Sequence, residues 1–211
     1  MLHKETVEPT TLDLIRKLQT DPELDGFSMA GGTALALFIG HRISIDIDLF
    51  SQNEFDAAAL SAYLEQNYRF SLQYIHRNTL KGFIEDVFVD ILTHPYPLVA
   101  QPVTEENISL LSKQDIAAMK VNAISGNGTR AKDFVDLYFL LNEFSMSEIL
   151  GFYTTKYAQQ NTFHALKSLT FFEDIDAAVW PRVVAEPSLT LKMVQDRIRE
   201  AQKQFLKDNL R

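Results

Sequence analysis

Two aspartates, one residue apart inside an apolar segment, constrain this chain more than any other feature. Asp46 and Asp48 alternate with the aliphatic residues Ile45, Ile47 and Leu49. Because side chains of a strand alternate between two faces, both carboxylates project from one face and the aliphatic side chains from the other. Two like charges roughly 6–7 Å apart repel each other, and burial near a core removes their hydration. A divalent cation with oxygen ligands, such as Mg²⁺, is the commonest way to stabilise such a pair.

A glycine pair lies a short distance upstream of these aspartates. Gly31-Gly32-Thr33 opens an apolar segment, and backbone N–H groups at the start of a helix bind anions such as phosphate. Twelve residues separate Thr33 from Asp46, which is enough for one short helix and a return to an adjacent strand. A phosphate-binding turn beside an acidic metal pair predicts nucleotide chemistry. The alternative is a solvent-exposed strand edge whose carboxylates pair with Arg42.

A third acidic residue lies in the apolar run that extends over residues 87–92. Asp90 is the one charged residue of that run. Burying an isolated charge is unfavourable, so a carboxylate in this setting needs a partner or a metal. We therefore predict that Asp90 completes a cation site with Asp46 and Asp48. The alternative is a lone acid at a strand edge.

The second half of the chain carries a group of charged residues at helical spacing. Lys120 lies in one predicted helix, and Arg130, Asp133 and Asp136 lie at the start of the next. One interpretation is that Lys120 and Arg130 bind the phosphates of a nucleotide while the two aspartates orient them. The other interpretation is a solvated charged face that holds two helices together.

Composition excludes several classes of protein. The 211 residues include no cysteine, so neither disulfides nor thiolate metal sites are available. No apolar run approaches the ~18–20 residues of a membrane span, and the first ten residues lack the apolar segment of a secretory signal. We expect a cytoplasmic protein with no membrane partner. A formal charge of −8 argues against a general nucleic-acid coat and confines RNA contacts to a local basic patch.

The pattern of apolar residues predicts an α+β protein, with a mixed sheet and flanking helices in residues 1–108 and a helical bundle in residues 109–211. Predicted strands span 27–30, 44–50, 68–77, 79–84 and 87–93, with a two-residue turn at 85–86. Predicted helices span 10–20, 33–39, 56–66, 112–125, 131–144, 146–159, 163–171 and 189–209. Strict alternation in 68–77 places Leu72 and Tyr74 on one face. Three prolines, Pro95, Pro97 and Pro102, are expected to end the sheet.

These elements together resemble a known group of enzymes. Gly31-Gly32-Thr33, a helix, Asp46-Ile47-Asp48 and a later strand aspartate form the pattern of the DNA polymerase β-like nucleotidyltransferase superfamily. More narrowly, GGTALAL and HRISIDIDLF, followed by Lys120 and RAKDFVDLYFLL, resemble the AbiEii/AbiGii toxin family over roughly residues 10–175. That family supplies the toxin half of bacterial toxin–antitoxin and phage-abortive systems. Thr33 departs from the serine common in the superfamily but keeps the hydroxyl.

The resemblance implies a nucleotidyltransferase fold and an enzyme that moves a nucleotidyl group from an NTP, such as ATP or GTP, to an RNA (tRNA) or protein acceptor. It implies Mg²⁺ or Mn²⁺ held by Asp46, Asp48 and Asp90, with Asp90 as general base. It further implies Lys120 as a catalytic residue on the departing pyrophosphate, and a cognate antitoxin as partner. The implied nucleotide-binding residues are Gly31, Gly32, Thr33, Arg42, Ser44, Arg130, Asp133 and Asp136. Alternatives are a small-molecule acceptor and a non-catalytic binding domain of the same fold.

Overall fold

The computed structural model describes residues 1–159 and 161–209. The chain forms two compact units. The first comprises residues 1–97 and 101–111, and the second comprises residues 98–100 together with the chain from residue 112 onwards. The first unit contains a sheet and three α-helices, and the second is built from helices.

The first unit is organised around a seven-stranded mixed sheet. Its strands are β1 (Ser28–Met29), β2 (Ile47–Ser51), β3 (Ser71–His76), β4 (Thr79–Ile84), β5 (Val87–Thr93), β6 (Val103–Glu105) and β7 (Ile108–Leu110). Their order across the sheet is β3-β4-β5-β2-β1-β7-β6. Strand β2 is parallel to β5, and β1 is parallel to β7, whereas the other neighbouring pairs are antiparallel. The helices are α1 (Pro9–Gln19), α2 (Gly31–Ile39) and α3 (Ala57–Tyr68).

Alternating burial in the central strands separates a core face from an open face. Ile47 and Leu49 of β2 are fully buried and pair with Val89 and Ile91 of β5, which are also fully buried. The residues between them therefore belong to the opposite face of the sheet. Both Asp48 and Asp90 are among these, so the acidic residues of the sheet lie together on its less buried side.

The second unit consists of five α-helices. They are α4 (Lys113–Gly126), α5 (Ala131–Leu140), α6 (Met146–Tyr157), α7 (Phe163–Ser168) and α8 (Leu191–Asn209). Ser112 caps α4 by accepting from the backbone N–H of Asp115, and Ser145 forms a reciprocal capping box with Glu148 at the start of α6. Over residues 1–159 and 161–209, no helix has the length and apolar character required to cross a bilayer.

A fully buried ion pair joins two helices of this unit. Lys156 of α6 places Nζ 2.7 Å from Oδ1 of Asp115 in α4, and both side chains are 0 % exposed. The carboxylate of Asp115 also accepts hydrogen bonds from Ser112 Oγ and from the backbone N–H groups of Val99 and Ala100. The short segment 98–100 thus belongs to the helical unit because its backbone is bound by α4.

The predicted α+β class is confirmed, as are the bounds of β4 and β5 with the turn between them. The expected end of the sheet at the prolines is wrong, because β6 and β7 follow Pro102. They are joined by Glu106 and Asn107, both at positive φ, as a tight hairpin turn requires. Asparagine adopts a positive φ readily, but glutamate rarely does, so the sequence Glu106-Asn107 does not predict this turn.

Two strands differ in detail from the alternation pattern. Strand β2 begins at Ile47, three residues later than predicted. The backbone just before it is satisfied elsewhere, since the Ser44 N–H donates to the Thr6 carbonyl. In β3 a register shift lies between Leu72, which pairs with Gly82, and Tyr74, which pairs with Lys81. Successive residues of β4 alternate between faces, so the predicted common face of Leu72 and Tyr74 is wrong.

Candidate active site

Two carboxylates lie side by side on the open face of the sheet. The parallel register of β2 and β5 pairs Asp48 directly with Asp90. Paired residues on adjacent strands share a face and are about one strand spacing, ~4.8 Å, apart. Asp46 lies two residues before Asp48, immediately ahead of β2. Asp48 and Asp90, which are 42 positions apart in sequence, are thus brought next to each other by the central parallel strand pair.

The glycine pair leaves room for two side chains of opposite charge. A Cβ on Gly31 would lie 1.9 Å from Oδ2 of Asp48, and one on Gly32 would lie 2.1 Å from Nη2 of Arg42. Gly31 also has a φ of +65°, which disfavours residues with a side chain. Both glycines are therefore required for the Asp48 carboxylate and the Arg42 guanidinium to approach the start of α2.

Helix α2 begins at this glycine pair without a side-chain cap. Its N-cap residue is Ala30, which offers no side-chain acceptor. The first N–H groups of a helix have no intrahelical partner, and the helix dipole favours a negative charge at this end. The Ala30 N–H donates to the Asp48 carbonyl across 2.9 Å, which fixes the helix start against β2. The start of α2 is accordingly suited to an anion.

The hydroxyl of Thr33 braces the acidic segment from within. Thr33 is 0 % exposed, and its Oγ1 donates to the Asp46 carbonyl at 2.5 Å and lies 2.9 Å from Ser44 Oγ. Ser44 is also buried. The Thr33 hydroxyl therefore positions the chain that carries Asp46, and the backbone N–H remains as the group of Thr33 that can meet a phosphate.

Asp90 has one paired oxygen and one oxygen without a partner. Lys81 of β4 lies directly opposite, and its Nζ donates to Asp90 Oδ2 across 2.6 Å. Within the described parts of the chain, Oδ1 of Asp90 is buried and has no hydrogen-bond partner. A buried carboxylate oxygen without a donor is unfavourable and requires an explanation, such as a ligand or a cation that binds there.

The donor set of this face suits a hard cation, although the side chains do not enclose one as they stand. Over residues 1–159 and 161–209, no three acidic or histidine side chains form a group that could hold a metal ion. The available donors are nevertheless all carboxylate oxygens, the ligands preferred by Mg²⁺ and Mn²⁺. The buried Oδ1 of Asp90 is open to coordination without the loss of an existing hydrogen bond. The residues present therefore fit a divalent cation.

A second group of predicted residues comes together in the helical unit. Lys120 of α4 places Nζ 2.7 Å from Asp133 and 2.5 Å from Asp136, and both carboxylates are almost completely buried. Arg130 lies 2.7 Å from the other oxygen of Asp133 and is half exposed. Two cations and two carboxylates thus form one connected cluster, in which the aspartates fix the position of Lys120.

The structure groups the predicted residues within each unit. In the first unit the connected residues are Gly31, Gly32, Thr33, Arg42, Ser44, Asp46, Asp48 and Asp90. In the second unit they are Lys120, Arg130, Asp133 and Asp136. Sequence reasoning missed Lys81. The signal was available, because a two-residue turn at 85–86 pairs residue 84 with 87 and, three positions further along each strand, Lys81 with Asp90.

Comparison with known proteins identifies the class. A family model described as the nucleotidyl transferase AbiEii toxin, type IV toxin–antitoxin system, matches residues 13–88 and 82–211. An uncharacterized protein of Aquifex aeolicus (strain VF5) is 31 % identical over 160 residues, which cover 73 % of this chain and 77 % of that protein. The chain belongs to the AbiEii family of nucleotidyltransferase toxins.

Solved structures agree with this fold. MenT4, a nucleotidyltransferase toxin of Mycobacterium tuberculosis H37Rv, superposes with a TM-score of 0.61 at 12 % identity and covers 94 % of this chain and 82 % of its own. A Helicobacter pylori protein assigned as a nucleotidyltransferase gives a TM-score of 0.56 at 15 % identity and covers 95 % and 96 %. At such low identity these similarities show the nucleotidyltransferase fold, and the family match supplies the enzyme class.

Proposed function

We propose that this protein transfers a nucleotidyl group from an NTP to a hydroxyl of an RNA acceptor, with tRNA as the leading candidate, in an Mg²⁺-dependent reaction. The observation that carries the proposal is the pairing of Asp48 with Asp90 beside the glycine-lined start of α2. An anion-binding helix start and a carboxylate pair are the two requirements for handling a metal-bound triphosphate.

The metal would be held by Asp46, Asp48 and Asp90. When bound, Mg²⁺ or Mn²⁺ would neutralise charge on the triphosphate and lower the pKa of the attacking hydroxyl. The carboxylates of Asp48 and Asp90 come from two adjacent strands whose register is fixed by backbone hydrogen bonds. The spacing of these two residues therefore does not depend on a mobile loop. The brace from Thr33 to the Asp46 carbonyl fixes the third position.

The remaining steps belong to the chain's own groups. The N–H groups of Gly32 and Thr33 would bind phosphate oxygens at the start of α2. The carboxylate of Asp90 would also accept the proton of the acceptor hydroxyl as general base, through an oxygen that is not bound to the metal. Lys120 and Arg130 belong to the second unit, and their role at the departing pyrophosphate stays a prediction.

Membership of a type IV toxin family supports two further parts of the proposal. A cognate antitoxin would restrain the enzyme, and its action in the cytoplasm would serve abortive defence against phage. NTPs and tRNA occur together in that compartment. A neighbouring gene that encodes an antitoxin and relieves growth arrest caused by this chain would test both parts.

The enzymatic proposal is tested by label transfer. Purified protein is incubated with each of the four α-labelled NTPs, Mg²⁺, total tRNA and a protein lysate. Asp48→Asn should retain the fold and lose transfer by about 10³-fold, because a bound metal supplies several kcal/mol of transition-state stabilisation. Asp13→Asn, at an exposed position of α1, is the matched control and should leave transfer unchanged.

Each other outcome has a definite meaning. Undiminished transfer by Asp48→Asn would overturn the assignment of the acidic site. Label that accumulates on protein, or on a small molecule, would overturn RNA as the acceptor and leave the nucleotidyl transfer in place. A wild-type protein that labels nothing and does not bind Mg²⁺–NTP would be a non-catalytic domain.

A further inference from the structure

The carboxylate pair belongs to a longer row of residues that crosses four strands. Asp48 pairs with Asp90, Asp90 pairs with Lys81, and Lys81 pairs with Tyr74 of the edge strand β3. Directly paired residues share a face of the sheet, so Tyr74 lies on the same open face as the carboxylates. Two strand spacings, or ~10 Å, separate its backbone from that of Asp90.

Two exposed rings stand at this edge. Tyr74 is 50 % exposed, and His76, two residues further along the same strand, is also exposed. Their ring centroids are 6.5 Å apart with an interplanar angle of 25°, a stacked arrangement. We call Tyr74 and His76 the aromatic shelf. Such near-parallel rings present flat faces on which a nucleobase can stack.

The charge of the hairpin that carries the shelf is opposite to that of the whole chain. Residues 69–84 include three basic residues, Arg69, Arg77 and Lys81, and no aspartate or glutamate. The chain as a whole has a formal charge of −8. Arg77, next to His76, is 79 % exposed and makes a long ion pair of 3.9 Å with Glu54. A basic segment with exposed rings in an acidic protein is complementary to a phosphate backbone with bases.

We propose that the aromatic shelf binds the single-stranded end of the acceptor RNA, with a base stacked on Tyr74 and His76 and a phosphate near Arg77. The inference rests on the proposed nucleotidyl transfer and adds the residues that recognise the acceptor. Stacking accepts every base, so the shelf confers preference for an unpaired end and not for a sequence. The backbones of Tyr74 and Asp90 are ~10 Å apart, on the order of the length of one nucleotide, so a terminal hydroxyl could reach Asp90 while the neighbouring base is stacked on the shelf.

Binding is measured by fluorescence anisotropy with a 5′-fluorescein-labelled, single-stranded decaribonucleotide of mixed sequence. Tyr74→Leu removes the ring but keeps an apolar side chain and should raise the Kd at least about fivefold, while Tyr74→Phe should retain wild-type affinity. Ile75→Ala is the matched control, because Ile75 is 40 % exposed on the same strand but pairs with the buried Leu80 of the opposite face. It should leave the Kd unchanged.

Steady-state kinetics separate the shelf from the chemistry. Tyr74→Leu should raise the KM for tRNA at least about fivefold, with the KM for NTP unchanged. Equal Kd and equal KM for Tyr74→Leu and wild type would overturn the shelf even if the enzyme transfers label. A wild type that transfers nothing yet binds RNA through Tyr74 would overturn the proposed function and retain the shelf. Label transfer to a protein acceptor with the same dependence on Tyr74 would overturn RNA as the occupant.

Discussion

Two carboxylates, Asp115 in the helical unit and Asp90 in the sheet unit, differ in how completely they are hydrogen-bonded. In the helical unit, the carboxylate of Asp115 accepts hydrogen bonds from Lys156, from Ser112 and from two backbone N–H groups. In the sheet unit, Asp90 accepts a hydrogen bond from Lys81 through Oδ2, whereas its buried Oδ1 has no donor among the described residues. A completed network stabilises a fold, whereas an incomplete one beside an open face marks a place where a ligand is expected.

The contrast separates stability from activity. Removing one member of the completed network leaves a charge in the core without its partner and should strongly destabilise the unit. Asp90 is partly exposed, and its Oδ1 has no hydrogen-bond partner among the described residues, so neutralising it should cost little stability. We therefore expect large stability effects from substitutions in the Asp115 network and large binding effects from substitutions of Asp90 and Asp48.

The largest expected effect on stability follows from Lys156→Met. The substitution leaves Asp115 buried without its cation, and breaking a buried pair costs about 3–5 kcal/mol. Urea denaturation followed by circular dichroism measures the loss. The matched control is Lys192→Met, which breaks an exposed i,i+4 pair with Asp196 and should change the free energy of unfolding by less than about 0.5 kcal/mol. Equal effects of the two substitutions would show that the buried Lys156–Asp115 pair contributes no more to stability than an exposed ion pair.

Acid sensitivity sharpens the same comparison. Burial opposes ionisation of Asp115, but hydrogen bonds from Lys156, Ser112 and the 98–100 backbone outweigh it and hold the pKa below its usual value. A carboxylate with a lowered folded-state pKa stabilises the protein above its unfolded pKa of about 3.9, and this stabilisation is lost as the pH falls through the folded value. The wild type should thus keep the helical unit folded at pH 4. Lys156→Met removes a hydrogen bond that lowers this pKa, so its loss of stability relative to wild type should be largest near neutral pH and should shrink as acid protonates Asp115 in the variant. A stability difference that does not change with pH would contradict this assignment.

A smaller effect is expected at Thr33. Thr33→Val preserves the shape but removes the hydroxyl that binds the Asp46 carbonyl, and the loss of a buried hydrogen bond costs about 1–3 kcal/mol. Transfer activity should fall with it because Asp46 loses its brace, whereas Thr33→Ser should recover both stability and activity. Thermal unfolding and label transfer measure the two effects. If Thr33→Val retained stability but Thr33→Ser lost activity, the methyl group and not the hydroxyl would be the functional part.

Local patterns predicted part of the sheet that carries the aspartates. The period-two alternation holds from Ile47 to Leu49 and places Asp48 on the face opposite these two residues, whereas Asp46 and the 60 % exposed Ile45 lie ahead of β2. The two-residue turn at 85–86 gave the register of β4 and β5. The glycine pair was also recognised, although its two side-chain neighbours, Asp48 and Arg42, depend on tertiary packing. Features set by neighbouring residues are readable from sequence because their geometry is local.

Other features were set by distant contacts. Lys156 and Asp115 lie 41 positions apart on different helices, and no spacing rule relates them. The register shift in β3 cannot be predicted from its residue types. The same holds for the hairpin of β6 and β7, whose turn requires a positive φ at Glu106. The pairing of β2 with β5 is likewise a property of the folded sheet, so the placement of Asp90 beside Asp48 needed the structure.

The central claim is that the paired carboxylates of β2 and β5 bind a divalent cation. It is tested most directly by titration with Mn²⁺ in the absence of nucleotide, followed by electron paramagnetic resonance. The account predicts that the wild type and Asp13→Asn remove the free Mn²⁺ signal with the same affinity. Asp48→Asn and Asp90→Asn, although folded by circular dichroism, should bind at least about tenfold more weakly. Unchanged Mn²⁺ binding by both variants would contradict the account.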